Sequence, residues 1–143
     1  MHIVNLATLF IVLSLVGVEF SVSAFVNPAA WRLDPEPQLK LLSRLAVVLG
    51  KVMPIWYPAC ALLLGIQTWL HWHTADSGIL LAADTLWVIA SVGGIIFLVP
   101  LNNRIAAGDS DWQQIHRAWD GRHRLRITVL AVAAILLSYV TVC

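Results

Sequence analysis

Four long apolar runs constrain this chain more than any other feature. They lie at roughly 3–26, 43–70, 78–101 and 124–142. A helix crosses the hydrocarbon core of a bilayer with about 20 mostly apolar residues. Inside that core every backbone polar group must be paired within the protein, which favours helices over open sheets. The runs therefore predict an all-α fold, a four-transmembrane-helix bundle, in one integral membrane domain over 1–143. Only 12% of the residues are charged and the mean hydropathy is +0.81. A soluble domain carries roughly 25% charged residues, so a soluble enzyme is excluded. The net charge of +1 gives no case for nucleic acid, and the expected partner is the lipid bilayer.

The stretch SVSA before Phe25 loosely imitates a signal-peptide cleavage site. No Lys or Arg precedes the first run, and the run holds Glu19, so it is read as a retained helix. Arg32, Lys40 and Arg44 lie in the first connection, and Arg104, Arg117, Arg122, Arg124 and Arg126 in and after the third. The second connection, HWHTADSG, has neither Lys nor Arg. Positive loops stay in the cytoplasm. Loops one and three are expected there, with both termini outside.

Polar residues interrupt the runs at few places. At 1.5 Å per residue, Glu19 and Lys51 both lie roughly 10 Å below the cytoplasmic surface. Asn102, Asn103 and Arg104 fall at the same end of the third helix. An ionisable residue at that depth faces the bundle interior and needs a partner. Arg126, Lys51 or a protonated histidine is the expected partner of Glu19. Lys51 has a second option, snorkelling to the surface. Asp84 sits apart in the outer half, near Thr or His71 and His73.

The segment DWQQIHRAWDGRHRLR at 111–126 is the densest in chemistry. Trp112, His116, Trp119, His123 and Arg126 follow at steps of 4, 3, 4 and 3, which places all five on one helix face. Ser110 followed by Gln113 reads as a capping box, so a helix over 110–142 is expected, with an amphipathic cytoplasmic lead-in. Gly121 marks a place where it bends or continues. The stripe has two readings. It lies at the membrane interface, with Trp among headgroups; or it turns inward over Glu19. In the inward case His116 or His123 serves as a proton acceptor, and Trp112 and Trp119 stack on a flat substrate. Asn103 and Arg126 stabilise an oxyanion, beside Asn102 and Lys51.

Glu19, His116 and His123 form a two-His, one-carboxylate set, a metal alternative. The two histidines lie about 10.5 Å apart along a straight helix, so they share an ion only if the helix breaks. The cofactor expectation is none. His71-Trp72-His73 reads as interfacial anchoring beside Trp69. Cys60 and Cys143 lack metal spacing and read as small apolar residues. Pro54 and Pro58 are expected to kink the second helix, and Pro100 to end or kink the third. Gly17 and the Gly93-Gly94 pair predict close helix packing, within the bundle or in a homo-oligomer.

VPLNNRIA at 99–106, Trp112 and HRAWDGRHRLRI at 116–127, ahead of a last apolar helix, resemble the anthrone oxygenase-like family of small four-helix membrane proteins. Asn27-Pro28 after the first helix and the overall length also fit. The resemblance implies oxidation of an anthrone to a quinone by O2 without a known cofactor. Its motif falls on Pro100, Asn102, Asn103, Trp112, Trp119, His123 and Arg126. The expected function is thus a membrane-embedded oxygenase acting on an aromatic or polyketide-like substrate. The alternatives are a non-catalytic membrane protein, such as a small transporter or accessory subunit, and a metal-dependent membrane oxidase.

Overall fold

The computed structural model describes residues 2–142, with side chains from residue 3; Cys143 lies outside the described residues. The described chain is helical, and four helices are long and apolar enough to cross a membrane. Helix α1 spans His2–Ser21, continues through a π-helical turn at Val22–Val26, and ends in a short α2, Asn27–Ala30. Helix α3 spans Pro35–Leu70, α4 Ser77–Phe97, α5 Val99–Ala106 and α6 Trp112–Val142. Helix α1 packs on α3 and α6, and α4 packs on α3 and α6, which closes a four-membered ring.

The first connection, expected over 27–44, shrinks to Trp31–Asp34. Hydropathy misplaces it because α3 opens on polar residues. Asp34 is extended and Pro35 takes the first helical position, where a missing N–H costs nothing. Helix α3 then runs unbroken past Pro54 and Pro58. Pro100 has a larger effect. The chain breaks at Leu98 and resumes as the amphipathic α5, with Pro100 in its first turn.

Helix α6 starts at Trp112, one residue later than the Ser110 cap would require. Asp109 organises this start instead: its Oδ1 accepts from the Asp111 backbone N–H at 3.0 Å, and its Oδ2 from Arg104 Nε at 2.8 Å. These two donors hold the Asp109 carboxyl below its ordinary range. Gly108, at φ 71°, makes the reversal from α5 to α6, a conformation that favours glycine. Gly121 causes no break; α6 is one helix through it.

Two apolar clusters fill the ring. One gathers Val12, Leu15, Cys60, Leu64, Trp87, Leu130 and Leu137. The other gathers Val22, Ala30, Leu42, Ile105, Trp112, Ile115 and Trp119 near the α5–α6 turn. Large apolar side chains also cover the outside: Phe10, Ile55, Ile95 and Ile135 are all more than half exposed. An apolar exterior of this extent suits lipid rather than water.

Candidate functional site

The stripe on α6 faces inward. Trp112, His116, Trp119 and His123 are buried, and Arg126 is nearly so, while Arg117, Arg122 and Arg124 are exposed. The interfacial reading of the stripe is therefore set aside. Arg122 instead donates to the carbonyl of Phe97 at 3.1 Å, which satisfies an acceptor at the end of α4.

Glu19, 2% exposed, meets the stripe at Arg126 and His123. Arg126 Nη2 donates to Glu19 Oε2 at 2.5 Å. His123 Nδ1 lies 3.1 Å from the same oxygen. Its Nε2 donates to the backbone carbonyl of Glu19 at 3.1 Å. Arg126 also lies 3.2 Å from His123 Nδ1 and sits over the Tyr57 ring at 5.1 Å from its centroid. A cation over an aromatic face gains roughly 0.5–2 kcal/mol. Gly94 makes the space: a Cβ there would stand 2.7 Å from Arg126 Nη1. Gly94 thus admits a guanidinium inside the bundle. Gly17 and Gly93 have no neighbour within 4 Å.

A second polar group lies one to two turns up α6. Asn27 Nδ2 donates to Asp120 Oδ1 at 2.6 Å. Asp120 Oδ2 pairs with Arg124 at 2.8 Å. His116 Nε2 lies 3.3 Å from Asn27 Oδ1. The π turn brings Asn27 into this position. Eight residues of regular α-helix would carry Asn27 about 80° past the direction of Glu19. The Asn27 N–H bonds Val22 O, an i→i+5 step that adds one residue to the turn and takes up about 100°. Glu19 and Asn27 consequently share the inward face. The widening falls just ahead of Pro28, whose ring would collide with the carbonyl of Ala24 in a regular helix.

The rings of the stripe stack on one another. Trp119 lies 4.4 Å from His123 with 20° between planes, and 6.0 Å from His116 with 12°. Trp31 tilts against His116 at 5.5 Å and carries Arg117 on its ring. Trp112 is packed into the apolar cluster. The expectation that Trp112 and Trp119 offer free faces to a flat substrate is corrected: neighbouring rings and aliphatic side chains already cover them.

Two further expectations are corrected by direction. Lys51 and Asn103 are exposed, outside the cluster. Both project from the outward sides of their helices. Asn102 projects inward instead; its Nδ2 donates to Ala46 O at 3.0 Å. A Cβ at Gly50 would stand 3.6 Å from Asn102 Nδ2, in ordinary contact, so the approach does not require a glycine there. Arg126 is committed to Glu19, so it does not meet Asn103. Among the described residues no three His, Cys, Asp or Glu side chains converge on one point, so the Glu19, His116 and His123 set is not assembled as a ligand triad. His116 turns to Asn27 while His123 turns to Glu19. His71 is buried against Gln67 O and His73 is exposed, which separates that pair too.

A small cavity of about 20 Å³ lies between α3, α5 and α6. That volume holds about one water molecule. His116, Asn102, Asn27 and Trp119 supply its polar and aromatic wall, and Leu42, Leu45, Leu49 and Ile105 the rest. His116 is 2% exposed and its Nδ1 has no hydrogen-bond partner. The contrast with His123, engaged at both nitrogens, is the main chemical asymmetry of the site. Asn27, Asp120 and Tyr57 were missed by reading the sequence for function. Asn27 carried a signal only through Asn27-Pro28, and Asp120 only through its place beside Trp119.

No protein-family model, curated protein or solved structure matches this chain.

Proposed function

We propose that this chain is a membrane-embedded oxygenase-type enzyme acting on a hydrophobic aromatic substrate, with His116 as the proton acceptor. The observation that carries this reading is the unpartnered Nδ1 of a buried histidine on the wall of a cavity. An unsatisfied buried polar atom costs roughly 1–3 kcal/mol, so an acceptor that no protein group partners favours a ligand that brings a hydrogen. The resemblance of 99–106 and 116–127 to the anthrone oxygenase-like family supplies the substrate class. The Lys and Arg distribution supports a cytoplasmic side for this end of the bundle.

The chemistry needs only a base and O2. His116 Nδ1 takes a proton from an acidic CH2 beside an aromatic ketone. The resulting enolate passes one electron to O2, and the carbon radical and superoxide join. Protonation gives a hydroperoxide, which loses water to leave a carbonyl. The balance is CH2 + O2 → C=O + H2O. Asn102 uses one amide hydrogen on Ala46, which leaves the second for the enolate oxygen. A ring system is larger than the cavity, so α5 must part from α3 to admit it. The break at Leu98 and Gly108 at positive φ flank α5 and would be the hinges of that motion.

The test is oxygen uptake by protein in mild detergent with anthrone-type substrates. A positioned base contributes about 10²–10⁴-fold. His116→Phe should lower turnover by at least 100-fold, while Lys51→Ala and Asn103→Ala remain near wild type. Absence of turnover by the wild type across the substrate panel would reject the proposal.

A second reading has its own support. The carboxylate of Glu19 is matched inside the bundle by Arg126 and His123, an arrangement that suits a purely structural clamp in a transporter or accessory subunit. Under it, Glu19→Gln alters assembly or transport and no oxidation is found.

A further inference from the structure

We propose that Asp120 and Asn27 act as a positioning pair that fixes His116 in the Nε2–H tautomer, leaving Nδ1 as a bare acceptor. The inference deepens the oxygenase reading and rests on it for its use, but its geometry stands separately.

The logic is one of donors and acceptors. A carboxylate only accepts. The 2.6 Å contact from Asn27 to Asp120 Oδ1 must therefore be made by the amide NH2 of Asn27. That choice turns the Asn27 carbonyl, Oδ1, towards His116. A carbonyl also only accepts, so His116 Nε2 must carry the hydrogen at the 3.3 Å contact. A neutral imidazole has one ring hydrogen. Nδ1 is then a lone pair, and it is the atom without a partner. Arg124, on the far oxygen of Asp120 at 2.8 Å, keeps the carboxylate oriented for the first step. Trp31 and Trp119 hold the imidazole ring from two sides. The order runs from an exposed arginine to a buried lone pair in four residues.

The consequence is a restriction on what binds. Whatever reaches Nδ1 must bring its own hydrogen to His116, as an acidic C–H or O–H does. His123 lacks this property. Its Nε2 is also a donor, to Glu19 O, but its Nδ1 is confronted by Glu19 Oε2 and Arg126.

The experiment is nitrogen-15 NMR of histidine-labelled full-length protein in detergent, at a pH where the imidazole is neutral. Two-bond nitrogen–proton correlations distinguish the tautomers, and His116→Gln assigns the resonance. In the wild type, His116 should be at least tenfold in favour of Nε2–H. Asp120→Leu should reduce that preference several-fold, because the Asn27 amide is released. Asp120→Asn keeps an acceptor for Asn27 and should restore it. A wild-type His116 in the Nδ1–H form overturns the inference without any variant, as does an unchanged tautomer in folded Asp120→Leu. The readout uses no substrate. Failure of oxygen uptake with the tautomer intact removes the enzyme reading alone, and the wrong tautomer in an active protein removes this inference alone.

Discussion

The half of the bundle around Trp87 and the half around Glu19 are held by different forces. Around Trp87 the contacts are mostly Leu, Val, Ala and aromatic side chains, with uncharged polar links from Trp87 Nε1 to Tyr57 O at 3.2 Å and from Gln67 Nε2 to Thr8 Oγ1 at 3.1 Å. Around Glu19, helices α1 and α6 meet through a carboxylate, a guanidinium and an imidazole. Lipid tails are as apolar as Leu, so packing in the first half is only weakly better than exposure to the bilayer. Removing one partner from a buried ion pair is far more costly, because a charge is left uncompensated. The comparison teaches where directional contacts reside: packing in the apolar half is non-directional, and the charged contacts of the polar half fix α1 against α6 at Glu19.

That contrast is broken most severely by Arg126→Leu, which leaves Glu19 beside a single histidine. The expected loss is about 3–5 kcal/mol, read as unfolding free energy in mixed micelles. Glu19→Gln combined with Arg126→Leu should recover much of it, since the paired charges leave together. A double variant as unstable as the single would mean that the pair is not the clamp. Leu130→Ala probes the other half. Large-to-small core changes cost roughly 2–5 kcal/mol in water-soluble proteins. Here the lower end, about 2 kcal/mol, is expected, because the cavity term persists while the transfer term shrinks. A larger loss than for Arg126→Leu would reverse the comparison.

Gly94 and Gly93 sharpen it at a single step in sequence. Gly94→Ala drives a methyl into Arg126 and should cost about 1–3 kcal/mol, the range for overpacking. Gly93→Ala meets nothing within 4 Å and should be neutral or stabilising. Equal effects in thermal unfolding would show that Arg126 yields freely. The smallest effect is expected at the α5–α6 turn. The Asp109 carboxyl is held below its ordinary value of 3.8 by the Asp111 N–H first and Arg104 second. A depressed carboxyl stabilises above its unfolded value and stops doing so as pH falls through the folded one. Asp109→Ala should therefore speed hydrogen exchange at Asp111 near neutral pH, and wild type should approach the variant only below about pH 4.

Much of this was legible before any coordinates. Apolar run length gave four spans because the bilayer imposes a length. The 4-3-4-3 spacing put Trp112, His116, Trp119, His123 and Arg126 on one face because a helix repeats every 3.6 residues. Glu19 had to find a partner because unpaired charge is expensive there. What escaped was direction around the helix axis. Counting along a helix gives Lys51 and Asn103 a depth and no direction. Their rotation about the axis depends on which neighbours the helix packs against, and both point outward. Asn27 escaped for another reason. Its inward position depends on one inserted residue in the π turn, which no regular period describes.

The proposed function divides the labour between two histidines seven residues apart, with His116 as the reacting group and His123 as part of the clamp. The most direct measurement compares His116→Gln and His123→Gln by oxygen uptake with an anthrone-type substrate and by thermal unfolding, on the same preparations. The account predicts a split. His116→Gln loses turnover by at least 100-fold with a melting temperature close to wild type, and His123→Gln shows the larger loss of stability while its folded fraction still turns over. The reverse split, or equal loss of both properties in both proteins, would contradict it.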